Sequence, residues 1–393
     1  MNRKIKVLFL PRWYPHRYDP MPGLFIQRQA EALTKYCEVA VIYVHQDPHC
    51  PNKVEAVFSE ENEVRVLRVY YKPAGDSDSL IGRFINLWRY YRNAMKAIRS
   101  IRQFSPDIIH GHILTRAGAL AWSGARQYKC PFVISEHWSR YFTGNQSYTG
   151  LLRKMTTKFI VSSAAAVVAV SDPLKNAMIN CELQNPVFPV IPNVVDTSMF
   201  FPGKSFIPNP VKTFVHVSCF DDKSKNISGF LRSVKVLTEQ RQDFRCVLIG
   251  DGPDWNDMKD YASFLRIPEG FAEFPGVLNG NDLADVLRAA DFSVLSSLYE
   301  TFGTVVIESL ACGTPVLSTK VGISTAVIND DNGILVDPGN EPAMTQALDL
   351  MLERCRSYNR FEISRAIAGK FDKETVGCQL VDLYEEVLIE KLT

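Results

Sequence analysis

The stretch that decides the fold is Ser296-Ser297-Leu298-Tyr299-Glu300-Thr301-Phe302-Gly303-Thr304-Val305-Val306-Ile307-Glu308-Ser309-Leu310-Ala311-Cys312-Gly313-Thr314-Pro315. It follows a short apolar run, and a glycine and a proline at its end are typical of a helix C-terminus. The pattern predicts a strand, a loop that carries Glu300, a helix that begins near Gly303, and another strand. This order is typical of a parallel α/β sheet.

The same alternation continues through the rest of the chain, where short apolar runs alternate with helix-length amphipathic stretches. We expect first-half strands at Ile5–Leu10, Val39–Tyr43, Ile108–His110, Phe132–Ser135, Ala165–Val170 and Val187–Ile191. A second series is expected at Thr213–Ser218, Arg245–Ile249, Phe292–Leu295, Val316–Ser318 and Ile334–Val336. Continuous apolar runs of this kind favour parallel strands that are covered on both faces.

Two domains are expected for a chain of 393 residues. The proline-rich segment Pro192–Pro210 is predicted to join an N-terminal domain at 1–198 to a C-terminal domain at 199–373. A last helix, at about 374–393, is expected to pack back on the first domain. The predicted architecture is α/β, with two Rossmann-like domains whose parallel sheets face each other across a cleft.

Composition excludes several function classes. A formal charge of +1 argues against a dedicated nucleic-acid-binding protein. Nine cysteines without CxxC or zinc-ligand spacing are interpreted as reduced thiols of a cytoplasmic protein. The first apolar run is too short for a signal peptide, and none reaches the roughly 18 residues of a membrane span. Asp221-Asp222 and Asp330-Asp331 are interpreted as turns, so we expect no metal cofactor.

The opening stretch also predicts a binding site for a nucleotide. Gly303 allows the backbone to approach a ligand closely, and the amides near Gly303 and Thr304 begin a helix, where unpaired N–H groups suit a diphosphate. Glu308 lies about one turn further, where a carboxylate can accept hydrogen bonds from two ribose hydroxyls. The alternative is a solvated helix whose N-terminal acid is stabilised by the helix dipole.

In this order of elements the chain resembles the retaining glycosyltransferases of family 4, which have the GT-B fold and a Glu-x7-Glu element. Three other segments carry the resemblance across nearly the whole chain. They are Asp107-Ile108-Ile109-His110-Gly111-His112, Ile191-Pro192-Asn193-Val194-Val195-Asp196, and Leu248-Ile249-Gly250-Asp251-Gly252-Pro253. The resemblance implies catalytic roles for His137, Glu300 and Lys225, and donor binding by Glu308, Gly303, Thr304, Phe302, Thr301, Lys223, Gly250 and Gly252.

Two segments depart from the family pattern. Cys219-Phe220 stands where relatives have an arginine near the donor phosphates, so Lys223 or a first-domain arginine is expected to replace that cation. The segment Val321–Ala326 lacks the usual paired glycines and glutamate. His110 and His112 are predicted to have core or supporting roles, with at most one of them facing the cleft.

The first domain contains two further candidate surfaces. Arg12, Pro22 and Gly23 precede a helix expected at Phe25–Leu33 and are predicted to bind the acceptor; a plain loop-to-helix turn is the alternative. The segment 79–106 has no acid but carries Arg83, Arg89, Arg92, Lys96, Arg99 and Arg102 between apolar residues. It is expected either to lie on an anionic membrane or to pack its apolar stripe on the sheet.

The resemblance implies transfer of a hexosyl unit, with retention, from a nucleoside diphosphate sugar to a glycan or lipid-linked hydroxyl in surface polysaccharide assembly. UDP is the favoured nucleotide and GDP the second choice. The expected location is the cytoplasm, with the inner face of the plasma membrane as an alternative. Competing functions are a sugar-nucleotide epimerase, a phosphorylase, and a non-catalytic nucleotide-sugar-binding subunit.

Overall fold

A computed structural model describes residues 3–74, 79–101, 103–204 and 208–390. Its strands are β1 (Ile5–Pro11), β2 (Cys37–Gln46), β3 (Val54–Glu61), β4 (Val64–Tyr71), β5 (Ile108–His112), β6 (Phe132–Glu136), β7 (Ala166–Ala169), β8 (Lys212–Cys219), β9 (Phe244–Asp251), β10 (Ala272–Gly276), β11 (Phe292–Leu295), β12 (Val316–Thr319) and β13 (Gly333–Val336). They form two sheets, with strand orders β3-β4-β2-β1-β5-β6-β7 and β10-β9-β8-β11-β12-β13. Neighbouring strands are parallel except β3 and β4. The predicted α/β fold with two Rossmann-like sheets is confirmed.

Helices cover the sheets and connect the strands. They are α1 (Leu24–Leu33), α2 (Leu80–Ser100), α3 (Leu114–Tyr128), α4 (Leu151–Ser163), α5 (Asp172–Asn180), α6 (Asp222–Lys225), α7 (Ile227–Thr238), α8 (Trp255–Phe264), α9 (Gly280–Ala289), α10 (Thr304–Ala311), α11 (Ser324–Val327), α12 (Glu341–Arg354), α13 (Arg360–Ile367) and α14 (Lys373–Glu390). A short 3-10 helix lies at Ser139–Tyr141. Parallel strands require crossovers of this kind, which place loops and helix N-termini at the carboxyl edge of each sheet.

The predicted strand at Val187–Ile191 is wrong. A bridge between Ala169 and Val190 and three backbone hydrogen bonds hold this segment beside β7, but no strand forms because Pro186 and Pro189 have no N–H to donate. Three strands, β3, β4 and β10, were not predicted. β3 pairs antiparallel to β4, and its side chains are half-buried or exposed, so it carries no continuous apolar run.

The C-terminal helix α14 packs on the first domain. Its residues Leu380, Leu383 and Val387 share one buried cluster with side chains of β1, β2 and α1. At Gly377 the two helices approach closely, since a Cβ there would lie 2.6 Å from the carbonyl oxygen of Ala32. The chain therefore returns to the first sheet after completing the second. The domain limits 1–198 and 199–373 stay predictions.

Candidate functional site

A cavity of about 240 Å³ lies between the carboxyl edges of the two sheets. Seven residues singled out in the sequence line it: His137, Lys225, Glu300, Thr301, Phe302, Gly303 and Thr304. Phe25, Asn193 and Ser218 line it as well and were not predicted. Asn193 lies in the segment that joins the two halves of the sequence, so its motif was recognised but its role in the cavity was not.

The loop before α10 is held in place by backbone contacts. Gly303 caps the helix in the left-handed region at φ +87°, a conformation that favours glycine. Behind it, Gly322 lies so close that a Cβ would be 2.4 Å from the carbonyl oxygen of Phe302, and Ile323 N–H donates to that same oxygen at 2.8 Å. The segment that departs from the family pattern thus supports the donor loop. Thr304 and Val305, the first residues of α10, line the cavity.

Lys225 and Glu300 form an ion pair at the cavity wall. Lys225 Nζ lies 2.5 Å from Glu300 Oε1, and the two side chains are 14% and 12% exposed. Ser297 Oγ donates to the same carboxylate oxygen at 2.9 Å. Burial disfavours the charge on Lys225, but Glu300 and neighbouring groups outweigh it and raise the pKa of Lys225. The lysine is therefore a fixed cation at neutral pH.

Glu308 is paired across the cleft with a first-domain arginine. Arg28 Nη1 donates to Glu308 Oε1 at 3.0 Å, and both side chains are nearly buried. Burial raises the pKa of Glu308, and Arg28 opposes that rise. Arg28 was not predicted by number, although a first-domain arginine was expected near the donor site. Further bonds between the domains include Ser171 Oγ to the carbonyl oxygen of Thr301.

His137 lies in the cavity as a neutral ring. Burial lowers its pKa to about 3, and the neighbouring Asn193 opposes this only in part. Among the described residues, neither His137 Nδ1 nor Asn193 Oδ1 has a hydrogen-bond partner. The loop that carries His137 is anchored by buried Glu136, which accepts hydrogen bonds from the amides of His137 and Trp138 at 2.8 Å each. Glu136 was not predicted.

His110 and His112 are both fully buried on β5, in agreement with their predicted core roles. Neither of them lines the cavity, although the two side chains share one face of the strand because they are two positions apart. Their rings stack with centroids 4.2 Å apart. His110 bonds Tyr384 of α14 at 2.6 Å, and His112 Nδ1 lies 3.4 Å from His137 Nε2.

Four residues predicted to bind the donor do not line the cavity: Glu308, which is paired with Arg28, and Lys223, Gly250 and Gly252. Lys223 is exposed and its Nζ lies 3.5 Å from the carbonyl oxygen of Asn145. Gly250 and Gly252 allow the ends of β8 and β9 to pack closely, since a Cβ would lie 1.9 Å from the Ser218 oxygen at the first and 2.6 Å from the Phe220 nitrogen at the second. Phe220, at the position of the family's arginine, is buried in the core.

The predicted acceptor loop lies at the carboxyl edge of the first sheet. Gly23 caps α1 at φ +74°, and a Cβ there would be 2.3 Å from the carbonyl oxygen of Trp13. This close approach is consistent with the loop-to-helix turn that was the alternative interpretation. Arg12 follows β1 and is half-buried, whereas Pro22 is half-buried without a contact that assigns it a role. Acceptor binding by all three stays a prediction.

The basic segment 79–106 is a helix only as far as Ser100 (α2), and Arg102 lies outside the described residues. Its apolar stripe divides in two. Near the C-terminus Ile98 is buried against the sheet, whereas near the N-terminus Leu80, Ile81 and Phe84 are 82%, 74% and 72% exposed. The C-terminal half of the stripe thus packs on the sheet, and membrane contact by the exposed N-terminal half stays a prediction.

Within the part of the chain that the structure describes, no group of three or more His, Cys, Asp or Glu side chains is arranged to hold a metal ion. The expectation that no metal is required stays a prediction. No helix among these residues has the length and hydropathy to cross a membrane.

Family models and known proteins give a consistent assignment. Residues 23–199 match the model "Glycosyltransferase Family 4", and residues 200–364 match "Glycosyl transferases group 1". The N-acetyl-alpha-D-glucosaminyl L-malate synthase of Bacillus anthracis is 28% identical over 59% of this chain and 62% of its own. The alpha-monoglucosyldiacylglycerol synthase of Streptococcus pneumoniae is 27% identical over 58% and 55%. Alignments with these two relatives thus span less than two thirds of their lengths.

Solved structures show the fold across the whole chain. Sucrose-phosphate synthase from Thermosynechococcus elongatus superposes with a TM-score of 0.80 at 20% identity, covering 98% of this chain and 100% of that one. HepE of Anabaena in complex with UDP-glucose superposes with a TM-score of 0.73 at 16% identity, covering 97% and 100%. The two adjoining family matches and this superposition lead to one conclusion. The chain belongs to the group 1 glycosyltransferases of family 4, which have the GT-B fold.

Proposed function

We propose that this protein transfers a hexosyl unit from a nucleoside diphosphate sugar to a hydroxyl of a glycan or lipid-linked acceptor, with retention of anomeric configuration. The observation that carries the proposal is the cavity in which the Lys225–Glu300 pair, the first amides of α10 and neutral His137 meet. UDP is the favoured nucleotide, because a neighbour of the same fold binds UDP-glucose. A role in surface polysaccharide assembly is part of the proposal.

The charges of the site fit a diphosphate. Lys225 supplies a cation held in place by Glu300, and the N-terminus of α10 supplies unpaired amides and a partial positive charge. Arg28 is a second cation, which reaches Glu308 of α10 from the first domain. Glu308 lies one turn into the helix, where its carboxylate can accept hydrogen bonds from ribose hydroxyls beside Arg28.

The proposed reaction needs no protein nucleophile. The bond from the anomeric carbon to the diphosphate oxygen breaks, and the acceptor oxygen bonds the same face while its proton passes to the departing phosphate. The amides of α10 and Lys225 stabilise the charge that develops on the diphosphate. His137, neutral because burial lowers its pKa to about 3, contacts the sugar by hydrogen bonding rather than by charge.

A donor screen tests the proposal. Purified protein is incubated with radiolabelled UDP-hexoses, UDP-N-acetylhexosamines and GDP-mannose, and transfer or hydrolysis is measured. Glu308→Ala is expected to lower kcat/KM for the donor by about 100-fold, because it removes two charged hydrogen bonds to the ribose hydroxyls. The control is Glu386→Ala, which changes an exposed residue of α14.

Other outcomes would contradict the proposal. Binding of UDP or GDP without turnover of any donor favours a non-catalytic subunit. Product without an acceptor indicates an epimerase, and a requirement for free phosphate indicates a phosphorylase. Full activity of Glu308→Ala would contradict the assignment of the donor site.

We further propose peripheral contact with an anionic membrane through the N-terminal halves of α2 and α4. Phe84 on α2 and Leu151 and Leu152 on α4 are more than two-thirds exposed, and Arg83 and Lys154 are exposed beside them. Basic and apolar side chains combined in this way suit an anionic lipid surface. A relative, the alpha-monoglucosyldiacylglycerol synthase, is named for a lipid product.

Co-sedimentation with vesicles tests the membrane contact. Arg83→Glu combined with Lys154→Glu is expected to reduce binding to vesicles that contain phosphatidylglycerol, because each basic residue near an anionic surface contributes about 1 kcal/mol. Arg99→Glu, at the far end of α2, is the matched control. Equal binding of all three proteins would contradict membrane contact by this surface.

A further inference from the structure

We propose that three arginines of the first domain, Arg12, Arg116 and Arg140, bind a phosphoryl group carried by the acceptor. The inference rests on the proposed transferase function, because it specifies the acceptor of that same site. The arginines follow β1, β5 and β6, which are neighbours in the first sheet. Residues that follow neighbouring parallel strands lie together at the carboxyl edge, which here faces the cleft.

Aromatic contacts bring these residues into one region: Arg140 stacks on Trp138, whose ring lies 5.1 Å from that of Trp13, the residue after Arg12. Burial lowers the pKa of Arg12, and the positive charge of Arg116 lowers it further. Burial also lowers the pKa of Arg140, and Arg12 is among the charges that add to this effect. The guanidinium carbon of Arg116 lies 5.5 Å from the centre of the Tyr90 ring, and Tyr90 also acts on Arg12.

Within the part of the chain that the structure describes, this arginine cluster has no ion-paired carboxylate. None of its three members forms an ion pair with a carboxylate of residues 3–74, 79–101, 103–204 or 208–390. Arg140 is only 6% exposed, and its Nε and Nη1 have no hydrogen-bond partner among those residues. The charge of Glu136 interacts with Arg140 through space without a hydrogen bond between them. The carboxylate oxygens of Glu136 instead accept hydrogen bonds from three backbone amides and the Tyr141 hydroxyl.

Unpaired cations are costly to bury, so the cluster is better explained by an anionic ligand than by a contribution to stability. Guanidinium groups match phosphoryl oxygens with two parallel hydrogen bonds each. The position fits an acceptor: Arg140 stacks on Trp138 at 3.4 Å, and the adjacent His137 lines the donor cavity. A phosphoryl group held here would place its bearer beside the sugar that is transferred.

The phosphoryl group has two candidate sources, a lipid headgroup and a soluble sugar phosphate. Arg116 lies in the first turn of α3, and α3 packs against both α2 and α4. The N-terminal ends of all three helices lie at the carboxyl edge of the sheet, so the exposed apolar residues of α2 and α4 flank the cluster. This arrangement favours the lipid source.

Tryptophan fluorescence provides a direct test, because Trp138 contacts Arg140 and its ring lies 5.1 Å from that of Trp13. The protein, saturated with UDP, is titrated with inorganic phosphate against chloride at constant ionic strength. A saturable change is expected for the wild type. Arg116→Gln and Arg140→Gln are expected to weaken it by about tenfold or more, the usual effect of losing a charged hydrogen bond. Arg126→Gln, an exposed position further along α3, is the control.

Parallel titrations identify the ligand and its source. Tighter binding of phosphatidic acid in phosphatidylcholine vesicles than of glycerol 3-phosphate supports a lipid acceptor, and the reverse order supports a soluble one. An equal response to malonate, no saturable response, or an equal response of variants and wild type would overturn the proposal. So would a matching loss of UDP affinity in the variants, because the cluster would then bind the donor. Melting temperatures confirm that each variant is folded. These titrations use no sugar donor, so they test the phosphoryl site alone. A failure to transfer sugar in the donor screen would contradict the proposed function and not this site.

Discussion

At the residue scale, the Lys225–Glu300 pair fixes a cation where the donor diphosphate is proposed to bind. Lys225→Ala removes that cation and leaves Glu300 nearly buried without a partner. We expect a loss of kcat/KM of about 100-fold or more, since one preorganised group at developing charge contributes about this much. Lys223→Ala, an exposed lysine two positions away that does not line the cavity, should stay near wild type.

Steady-state kinetics with the best donor from the screen, together with melting temperatures, measure the effect. Equal losses in Lys223→Ala and Lys225→Ala would contradict the assignment. The two lysines also show the limit of a single sequence. Both were predicted at the donor site and both belong to one short segment, but only Lys225 lines the cavity. The exposed position of Lys223 depends on the turn at α6, which the sequence pattern does not specify.

At the element scale, α14 joins the end of the chain to the first domain through a buried stripe. Leu380 is fully buried there, whereas Ile389 on the same helix is 63% exposed. Leu380→Ala is expected to lower the free energy of unfolding by about 2–5 kcal/mol, as core truncations of this size do. Urea denaturation measures the change, and Ile389→Ala is the matched control. A loss below about 1 kcal/mol in Leu380→Ala would show that α14 is not part of the cooperative core.

The helical periodicity of α14 and the apolar runs of the central strands were visible in the sequence because each has a continuous buried stripe. The edge strand β3 was not, because its side chains are half-buried or exposed and several are charged. Val187–Ile191 has strand-like residues, but its prolines prevent a ladder. Local composition therefore predicted the interior of each sheet better than its edges.

At the scale of the whole molecule, Arg28 and Glu308 connect the domains across the cleft. Arg28 could not be predicted by number, because 280 positions separate it from its partner in the sequence. Arg28→Ala removes an interdomain ion pair and a cation beside the donor site. We expect a larger radius of gyration by small-angle X-ray scattering without donor, and a KM for the donor raised by about tenfold. Arg28→Lys should retain part of both properties. Unchanged scattering and KM in Arg28→Ala would contradict this role.

Six histidines with lowered pKa values make the stability of the whole protein depend on pH; one of them is His16, whose pKa is lowered by burial. Burial lowers the pKa of His45 to about 4, that of His110, His137 and His216 to about 3, and that of His112 well below its usual value. In the unfolded chain each takes up a proton near pH 6.5. Between pH 6.5 and about 4 the unfolded state therefore binds more protons, so stability falls as pH falls.

The four fully buried rings each contribute about 1.4 kcal/mol of lost stability between pH 7.5 and 5.5, or about 5 kcal/mol together as an upper bound. Glu136 and Glu308 offset part of this loss, because burial raises the pKa of both and the folded state then takes up protons. Urea unfolding at pH 7.5, 6.5 and 5.5 measures the slope. His216→Gln should reduce it, whereas His49→Gln, at an exposed position, should leave it unchanged. A free energy of unfolding that stays constant over this range would contradict the lowered pKa values, because the folded and unfolded states would then bind equal numbers of protons.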